Sequence, residues 1–452
     1  MAERVDVVVL GLGVGGEEVA GKLAAAGLSV VGIEARLVGG ECPYWGCVPS
    51  KMMIRASNLL AEGRRIPGMA GASQVDPDWA PVAARIRDEA TDSWDDKVAV
   101  DRFTGKGGRF VRGWGVLDGH GRVKVGDDVY EATRAVVIGT GTSPSIPPIE
   151  GLSGTPYWTN REAIEAAALP ESLLVLGGGA IGLELAQMFA RFGTTVTVIE
   201  ALDRLLALEE PESSALAAEA LAADGVKVVV GQGAQRVEHG AGGFTVTLAD
   251  GTSHRAEKLL VATGRRVNLR ELGVESIGLD PQARSLAVDD RMRALDNVWA
   301  VGDVTGRGAF THVAMYQAGI AVRDILGQPG PPADYRALPR VTFTDPEIGA
   351  VGLTEKQARE QGLSVQTGIG QTPSSTRGWI HKAGNAGFTK LVADTQRGVL
   401  VGATSAGPVG GEVLGALAVA VHGEVPVERL RHMIYAYPTF HRGIEDALRD
   451  LA

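Results

Sequence analysis

The sequence predicts an α/β protein built on two dinucleotide-binding βαβ units, with an α+β region after them. Two observations carry that prediction. The first is an internal repeat: Val7 to Ala35, VVVLGLGVGGEEVAGKLAAAGLSVVGIEA, aligns without a gap on Leu173 to Ala201, LLVLGGGAIGLELAQMFARFGTTVTVIEA. Gly11, Gly13, Gly16, Gly27 and Glu34 fall on Gly177, Gly179, Gly182, Gly193 and Glu200 at one constant offset. The second is the order within each copy: an apolar run, a glycine turn, a helical stretch and a β-branched run ending in an acid. That is the order of a Rossmann-like βαβ unit.

In each turn the first glycine permits a tight bend, the second lets a pyrophosphate approach the backbone, and the third packs helix on strand. A phosphate then meets the N–H groups at a helix N-terminus. Gly11, Gly13 and Gly16 are therefore expected to hold one dinucleotide, and Gly177, Gly179 and Gly182 a second. Glu34 and Glu200 are placed to accept hydrogen bonds from a ribose diol. Glu200 favours NAD over NADP, because a carboxylate repels a 2′-phosphate; Arg204, close by in sequence, keeps NADP possible. A lone glycine-rich turn often binds nothing, but two matched units with both acids point to two dinucleotides and a hydride passed between them.

Straight after the first unit come the chain's two cysteines, Cys42 and Cys47, in GGECPYWGCVPSK. A metal site lacks further ligands, since none of the eight histidines falls near the motif in sequence. Two inert thiols leave the surrounding glycines and proline unexplained, and a redox disulfide explains more. Five residues of regular helix advance about 7.5 Å, beyond the roughly 7 Å Cα limit of a disulfide. The helix is thus expected to start distorted, with Gly39, Gly40, Pro43 and Gly46 allowing an irregular turn. A helix N-terminus lowers a thiol pKa, while Glu41 opposes that. Lys51, one turn beyond Cys47, offers a cation for a thiolate or a reduced cofactor; the plain alternative is a solvent-facing lysine.

Further along, Ala135 to Gly141 (AVVIGTG) and Leu259 to Gly264 (LLVATG) close each half in Thr-Gly. Between the halves, Ser143 to Gly151 (SPSIPPIEG) suits an extended linker. After Arg265, NVWAVGDVTG runs a strand into a glycine turn with Asp303. From about Pro339 a strand-like run, Gly387 to Val392, and a helical one, Gly411 to His422, indicate an α+β domain.

The 452 residues suggest about three or four domains. A net charge of -10 argues against nucleic acid and anionic membrane surfaces. The acidic N-terminus does not read as a signal peptide, and Leu414 to Val421 is far short of a membrane span. Two cysteines in one motif favour a reducing cytoplasm over secretion.

Taken together, the Gly11 turn, CPYWGCVPSK, IGTGTSPSIP, GGGAIGLE, VATGRRVN, VWAVGDVTG, THVAMYQAG and VTFTDPEIGAVGLTE span nearly the whole chain. This set resembles the class I pyridine nucleotide-disulfide oxidoreductases, of the dihydrolipoamide dehydrogenase, glutathione reductase and mercuric reductase type. The resemblance implies an FAD-binding domain over 1–150, an NAD(P)-binding domain over 151–268, a central part over 269–335 completing the FAD domain, and an α+β dimerisation domain over 336–452. It implies Cys47 as the flavin-facing charge-transfer thiol and Cys42 as the interchange thiol. Lys51 would pair with Glu184 near the flavin N5, Asp303 would bind the ribityl chain, and the helix near His312 would face the pyrimidine. Gly115, Thr140, Gly141 and Arg265 complete the cofactor-binding candidates. In a homodimer, partner residues would complete each site.

The departures are informative. Disulfide-reducing members usually carry a His-x-His-Pro-Thr-x-x-Glu element, whose second histidine and glutamate form the acid/base pair. Here the stretch is Tyr435 to Arg442, YAYPTFHR, so Tyr437 replaces the histidine and Arg442 the glutamate. Mercuric reductases resemble it in the tyrosine, but their vicinal C-terminal cysteines and N-terminal metal-binding domain are not in this sequence. Pro43, Tyr44 and Trp45 are bulkier than the Leu-Asn-Val typical between the cysteines. His441, with Glu445 one turn on, is the alternative acid/base. The expected activity is electron transfer from NADH, or NADPH, through FAD and Cys42–Cys47 to a small-molecule or protein-bound acceptor. That acceptor is a disulfide, or alternatively a metal ion, or a quinone or oxygen reduced by the flavin directly. A non-catalytic binding module is the remaining reading.

Overall fold

The computed structural model describes residues 2–451. The chain divides into two compact units: one made of residues up to 50, 84–145 and 265–334, the other of 51–83, 146–264 and 335 onward.

In the first unit the sheet runs Arg293–Leu295, Val298–Ala300, Asp128–Ile138, Glu3–Leu10, Val30–Glu34, Arg109–Arg112. From Val298–Ala300 onward the neighbours are parallel. Parallel strands covered on both faces read as continuous apolar runs, which is why VVVL and AVVI show no alternation. On one face the helices Val14–Ala25 and Thr311–Ile325 pack through Val19, Leu23, Ala318 and Ala321. On the other, Leu117, Tyr130, Leu269 and Val274 close the core. Leu10 pairs with Ile33 and Ile138, and Ile138 with Ala300, so the carboxyl ends of four strands line up at one edge. Ligands of open α/β sheets bind at that edge, and Gly11, Thr140 and Asp303 follow it directly.

The second unit repeats the βαβ arrangement down to its register. Val7 faces Val30 and Leu10 faces Ile33; at the equivalent repeat positions Leu173 faces Val196 and Leu176 faces Ile199. Its parallel sheet runs Lys227–Val229, Thr195–Ile199, Ser172–Leu176, Lys258–Val261. A three-stranded antiparallel sheet, Ala234–Gly240, Gly243–Leu248 and Ser253–Ala256, precedes the last of these. From Pro339 the chain forms a five-stranded antiparallel sheet, with helices Gly410–His422 and Gly443–Asp450 packed through Leu414, Leu417, Ile444 and Leu448. This is the expected α+β region. No helix among the described residues is long and apolar enough to cross a membrane.

Candidate active site

Each glycine turn is closed by its own acid. In the first unit the Leu12 and Arg36 N–H groups donate to the Glu34 carboxylate, each at 2.8 Å. In the second, the Gly178 and Leu202 N–H groups donate to Glu200 at 2.6 and 2.7 Å. The donors occupy equivalent positions of the repeat, and each carboxylate keeps lone pairs for a ligand. Burial raises the Glu34 carboxyl above the ordinary range, and its backbone donors work against that.

Both turns fit a dinucleotide. Gly11 is left-handed at φ +83°, and a Cβ there would stand 2.6 Å from the Gly139 carbonyl oxygen. A Cβ at Gly16 would collide with the Gly11 carbonyl oxygen, and one at Gly182 with that of Gly177. Gly13 and Gly179 precede helices of 12 residues and provide no side-chain cap. The first helical N–H groups therefore face an opening that a phosphate can approach closely.

Beside the first turn, Gly141 follows Thr140 with φ +62°. Thr142 Oγ1 donates to Asp303 at 2.9 Å, while Arg265 donates to Thr142 Oγ1 at 2.7 Å and to its carbonyl at 2.8 Å. Arg265 also stands 3.8 Å from Glu41. The turn that carries Asp303 is held by Gln317, a fully buried residue that accepts from the Gly302 N–H at 2.7 Å and donates to Thr305 at 3.0 Å. His312 is exposed and stacks on Phe310, ring centres 5.2 Å apart. A Cβ at Gly115 would strike Leu10 and press on Ile33 and Val123, so core packing alone accounts for that glycine.

The cysteine motif is split into two helices, Glu41–Trp45 and Cys47–Arg65, broken at Gly46. This break is the irregular start that the spacing of the thiols called for. A Cβ at Gly46 would lie 3.0 Å from the Glu41 carbonyl oxygen and 3.3 Å from the Cys42 Cα, so the fold-back needs glycine. The two cysteines are present as thiols, Cys47 exposed and Cys42 half-buried, and their side chains are hydrogen-bonded to each other. The hydrogen bond to Cys47, and then burial, push the Cys42 thiol far above its ordinary pKa. The Cys42 thiol is thus harder to ionise than a free one. Thr311 Oγ1 lies 3.4 Å from Cys47 Sγ and also hydrogen-bonds Cys42, which draws the Cys42 thiol back down. Thr311 was not among the residues singled out in the sequence; its signal was the first helical position in THVAMYQAG, beside His312.

In the second unit Lys51 Nζ meets Glu184 Oε2 at 2.7 Å and lies 4.6 Å over the Phe343 ring. Glu184 is buried, and its other oxygen accepts from the Phe343 N–H at 2.8 Å. Lys51 is thus an oriented cation rather than a solvent-facing lysine. Arg204 donates to Ser214 Oγ at 2.6 Å and to the Ala207 carbonyl at 2.7 Å, so it is engaged within its own turn. Tyr437 is 65% exposed, with the Arg442 guanidinium 5.2 Å from its ring.

One expectation is corrected: Glu445 does not orient His441. Its carboxylate oxygens meet Arg442 at 2.9 Å and Arg449 at 2.6 Å, while the His441 ring stands 6.0 Å from the Tyr435 ring. The two guanidinium groups offer that carboxylate charge-assisted hydrogen bonds, and they take it.

Residues 5–318 match the family described as pyridine nucleotide-disulphide oxidoreductase, and residues 338–448 match its dimerisation domain. The chain is 32% identical over 465 residues to a mercuric reductase of Acidithiobacillus ferrooxidans, covering 98% of this chain and 82% of that one. It is 32% identical over 470 residues to a dihydrolipoyl dehydrogenase of Haloferax volcanii, covering 99% and 96%. The crystal structure of LpdA from Mycobacterium tuberculosis matches with a TM-score of 0.86 at 28% identity, over 100% of both chains. With these matches added to the paired dinucleotide turns and the cysteine pair, the chain belongs to the pyridine nucleotide-disulphide oxidoreductases, as an FAD-dependent enzyme that works with a pyridine nucleotide.

Proposed function

We propose that the protein takes a hydride equivalent from NADH and passes two electrons to a Cys42–Cys47 disulfide, then to an acceptor that needs no histidine base. The observation that carries this reading is the thiol pair brought together across the Gly46 break, with Thr311 Oγ1 3.4 Å from Cys47 Sγ. Residues 1–150 and 269–335 would hold FAD on Gly11, Gly13, Gly16, Glu34, Thr140, Gly141 and Asp303. Residues 151–268 would hold the nicotinamide dinucleotide on Gly177, Gly179, Gly182 and Glu200. When bound, FAD supplies the two-electron relay between nicotinamide and disulfide. NADH leaves as NAD⁺, the S–S bond breaks, Cys42 takes the proton and Cys47 remains a thiolate, so electrons and charge balance. Lys51, oriented by buried Glu184, supplies a fixed cation.

NADH is preferred over NADPH in this reading because Glu200 repels a 2′-phosphate and Arg204 is already engaged by Ser214 and Ala207. Exposed Tyr437 would serve the site of a second copy, joined through the dimerisation domain. A cytoplasmic location suits a dithiol that must be kept reducible.

Among acceptors, a thiophilic metal ion or a quinone is favoured over lipoamide or glutathione disulfide. The supporting observation is Tyr437 at the histidine position, with Glu445 taken by two arginines. A phenol of pKa about 10 is ionised in roughly one molecule per thousand at pH 7, and is a poor base for an incoming thiol. A metal ion caught by thiolates asks for none. The test is anaerobic titration with NADH, then turnover with lipoamide, glutathione disulfide, Hg(II) and quinones. Bleaching by NADH and faster turnover of Hg(II) or quinones are expected. Absence of bleaching defeats the whole reading; lipoamide turnover at hundreds per second, high among enzymes at about 1 to 10³ s⁻¹, defeats the acceptor assignment.

A further inference from the structure

The most strained backbone of the first unit lies outside the site described so far. Asp92, Ser93 and Trp94 take positive φ of 47°, 54° and 59° in succession, a region that residues with a side chain visit singly rather than in runs. The run follows a single π-helical turn, Ile86–Ala90. Its geometry is fixed from both sides. The Thr91 N–H and hydroxyl both donate to the Ile86 carbonyl, at 3.1 and 3.0 Å, and the Ser93 N–H donates to the Arg87 carbonyl at 2.6 Å. Strain held this firmly calls for a reason nearby.

The reason stands at the far end of the run. Trp94 Nε1 donates to the carbonyl oxygen of Tyr44 at 3.3 Å, and Asp96 Oδ2 accepts from the Val38 N–H at 2.7 Å. Asp96 is buried and is itself gripped by Arg112 at 2.6 and 2.8 Å. Residues 38 and 44 bracket Cys42. The Tyr44 carbonyl also sits just before the break at Gly46. In an unbroken helix it would accept from the N–H of residue 48; here the indole supplies a donor instead. We infer that Trp94 and Asp96 are positioning residues for the redox loop, anchoring it on both sides of Cys42 so that its sulfur stays against Cys47. The inference rests on Cys42 and Cys47 being the working pair.

The test uses the full-length, FAD-loaded enzyme. After NADH reduction, both thiols are alkylated with iodoacetamide and followed by mass spectrometry, and the oxidised pair is equilibrated with dithiothreitol. Trp94→Phe keeps a ring and removes the N–H. It should raise the rate at Cys42 relative to Cys47 about fivefold, the worth of one hydrogen bond, and weaken the disulfide against dithiothreitol by a similar factor. Trp114→Phe is the matched control: it removes another indole-to-carbonyl bond of this unit, to Glu271 at 3.2 Å, and should change neither quantity. If Trp94→Phe does not fold, benzothienylalanine at position 94 keeps the indole shape without the N–H and decides the matter. A merely structural role would lower the melting temperature and leave both ratios at the wild-type values, which overturns the inference. Cys42→Ser and Cys47→Ser test the underlying reading separately: if neither alters the response to NADH, the pair itself is not the redox centre.

Discussion

Cys42 and Cys47 have the same chemistry in isolation, yet the hydrogen bond between them and burial push the Cys42 thiol well above its ordinary pKa. Two-electron reduction should therefore produce a long-wavelength thiolate-to-flavin band. Cys47→Ser should abolish it, and Cys42→Ser should show it without reductant; an absorbance spectrum of each variant decides. The same asymmetry sets a pH dependence. A raised thiol pKa means that the protonated, unreactive form persists to higher pH. In the reduced, FAD-loaded enzyme, alkylation of Cys42 by iodoacetamide should therefore quicken as the pH rises, because its bond to Cys47 and its burial hold the proton on it. A Cys42 alkylation rate that does not change with pH would contradict the assignment.

At the scale of the element, the two βαβ units share a device: the acid at the end of the second strand grips the N–H of a residue inside the glycine turn. The turn, the helix N-terminus and the acid proposed to hold a ribose are thereby tied together. In the second unit Glu200 would stand near the 2′ oxygen of the proposed nucleotide, and the nearest arginine in sequence is held by Ser214 and Ala207. NADH should exceed NADPH in kcat/KM by at least about tenfold, corresponding to ~1.4 kcal/mol. Glu200→Ser should narrow the gap. Steady-state kinetics with both nucleotides gives the answer, and equal use would show that a base has overridden the acid.

For the whole molecule, the acceptor is the question that a second copy bears on, because Tyr437 is exposed and lies in the part that matches the dimerisation domain. Wild type, Tyr437→Phe and His441→Ala should all be weak with lipoamide and unimpaired with quinones, measured side by side in steady state. A collapse confined to lipoamide in His441→Ala would make that histidine the acid/base even with Glu445 paired to Arg442 and Arg449. Stability has its own test. Lys390 is buried in the five-stranded sheet and meets Glu210, Glu212 and Glu355 at 3.0, 2.8 and 3.2 Å. Lys390→Met would leave buried Glu210 without its cation, while Glu355 keeps Arg359 at 2.9 Å, and should cost about 3–5 kcal/mol, read by urea denaturation.

The sequence by itself determined the two βαβ units, the α+β region and the break in the cysteine helix. Those features rest on local periods and on spacing: an apolar run buried on both faces, glycines where backbones must touch, and two thiols too far apart for a regular helix. Spacing showed Lys51 only as a cation and the family resemblance alone implied its pairing with Glu184, since Glu184 and Phe343 come from distant parts of the chain. Gln317 and Trp94 carried no such local signal, and Thr311 only its place at the head of THVAMYQAG. Each matters through a partner far off in sequence or through one hydrogen bond across a turn, and side-chain reach of that kind exists only once the sheet has brought its strand ends together. The fate of Arg204 and Glu445 was likewise a tertiary decision, because a charge goes to whichever partner the fold holds nearest.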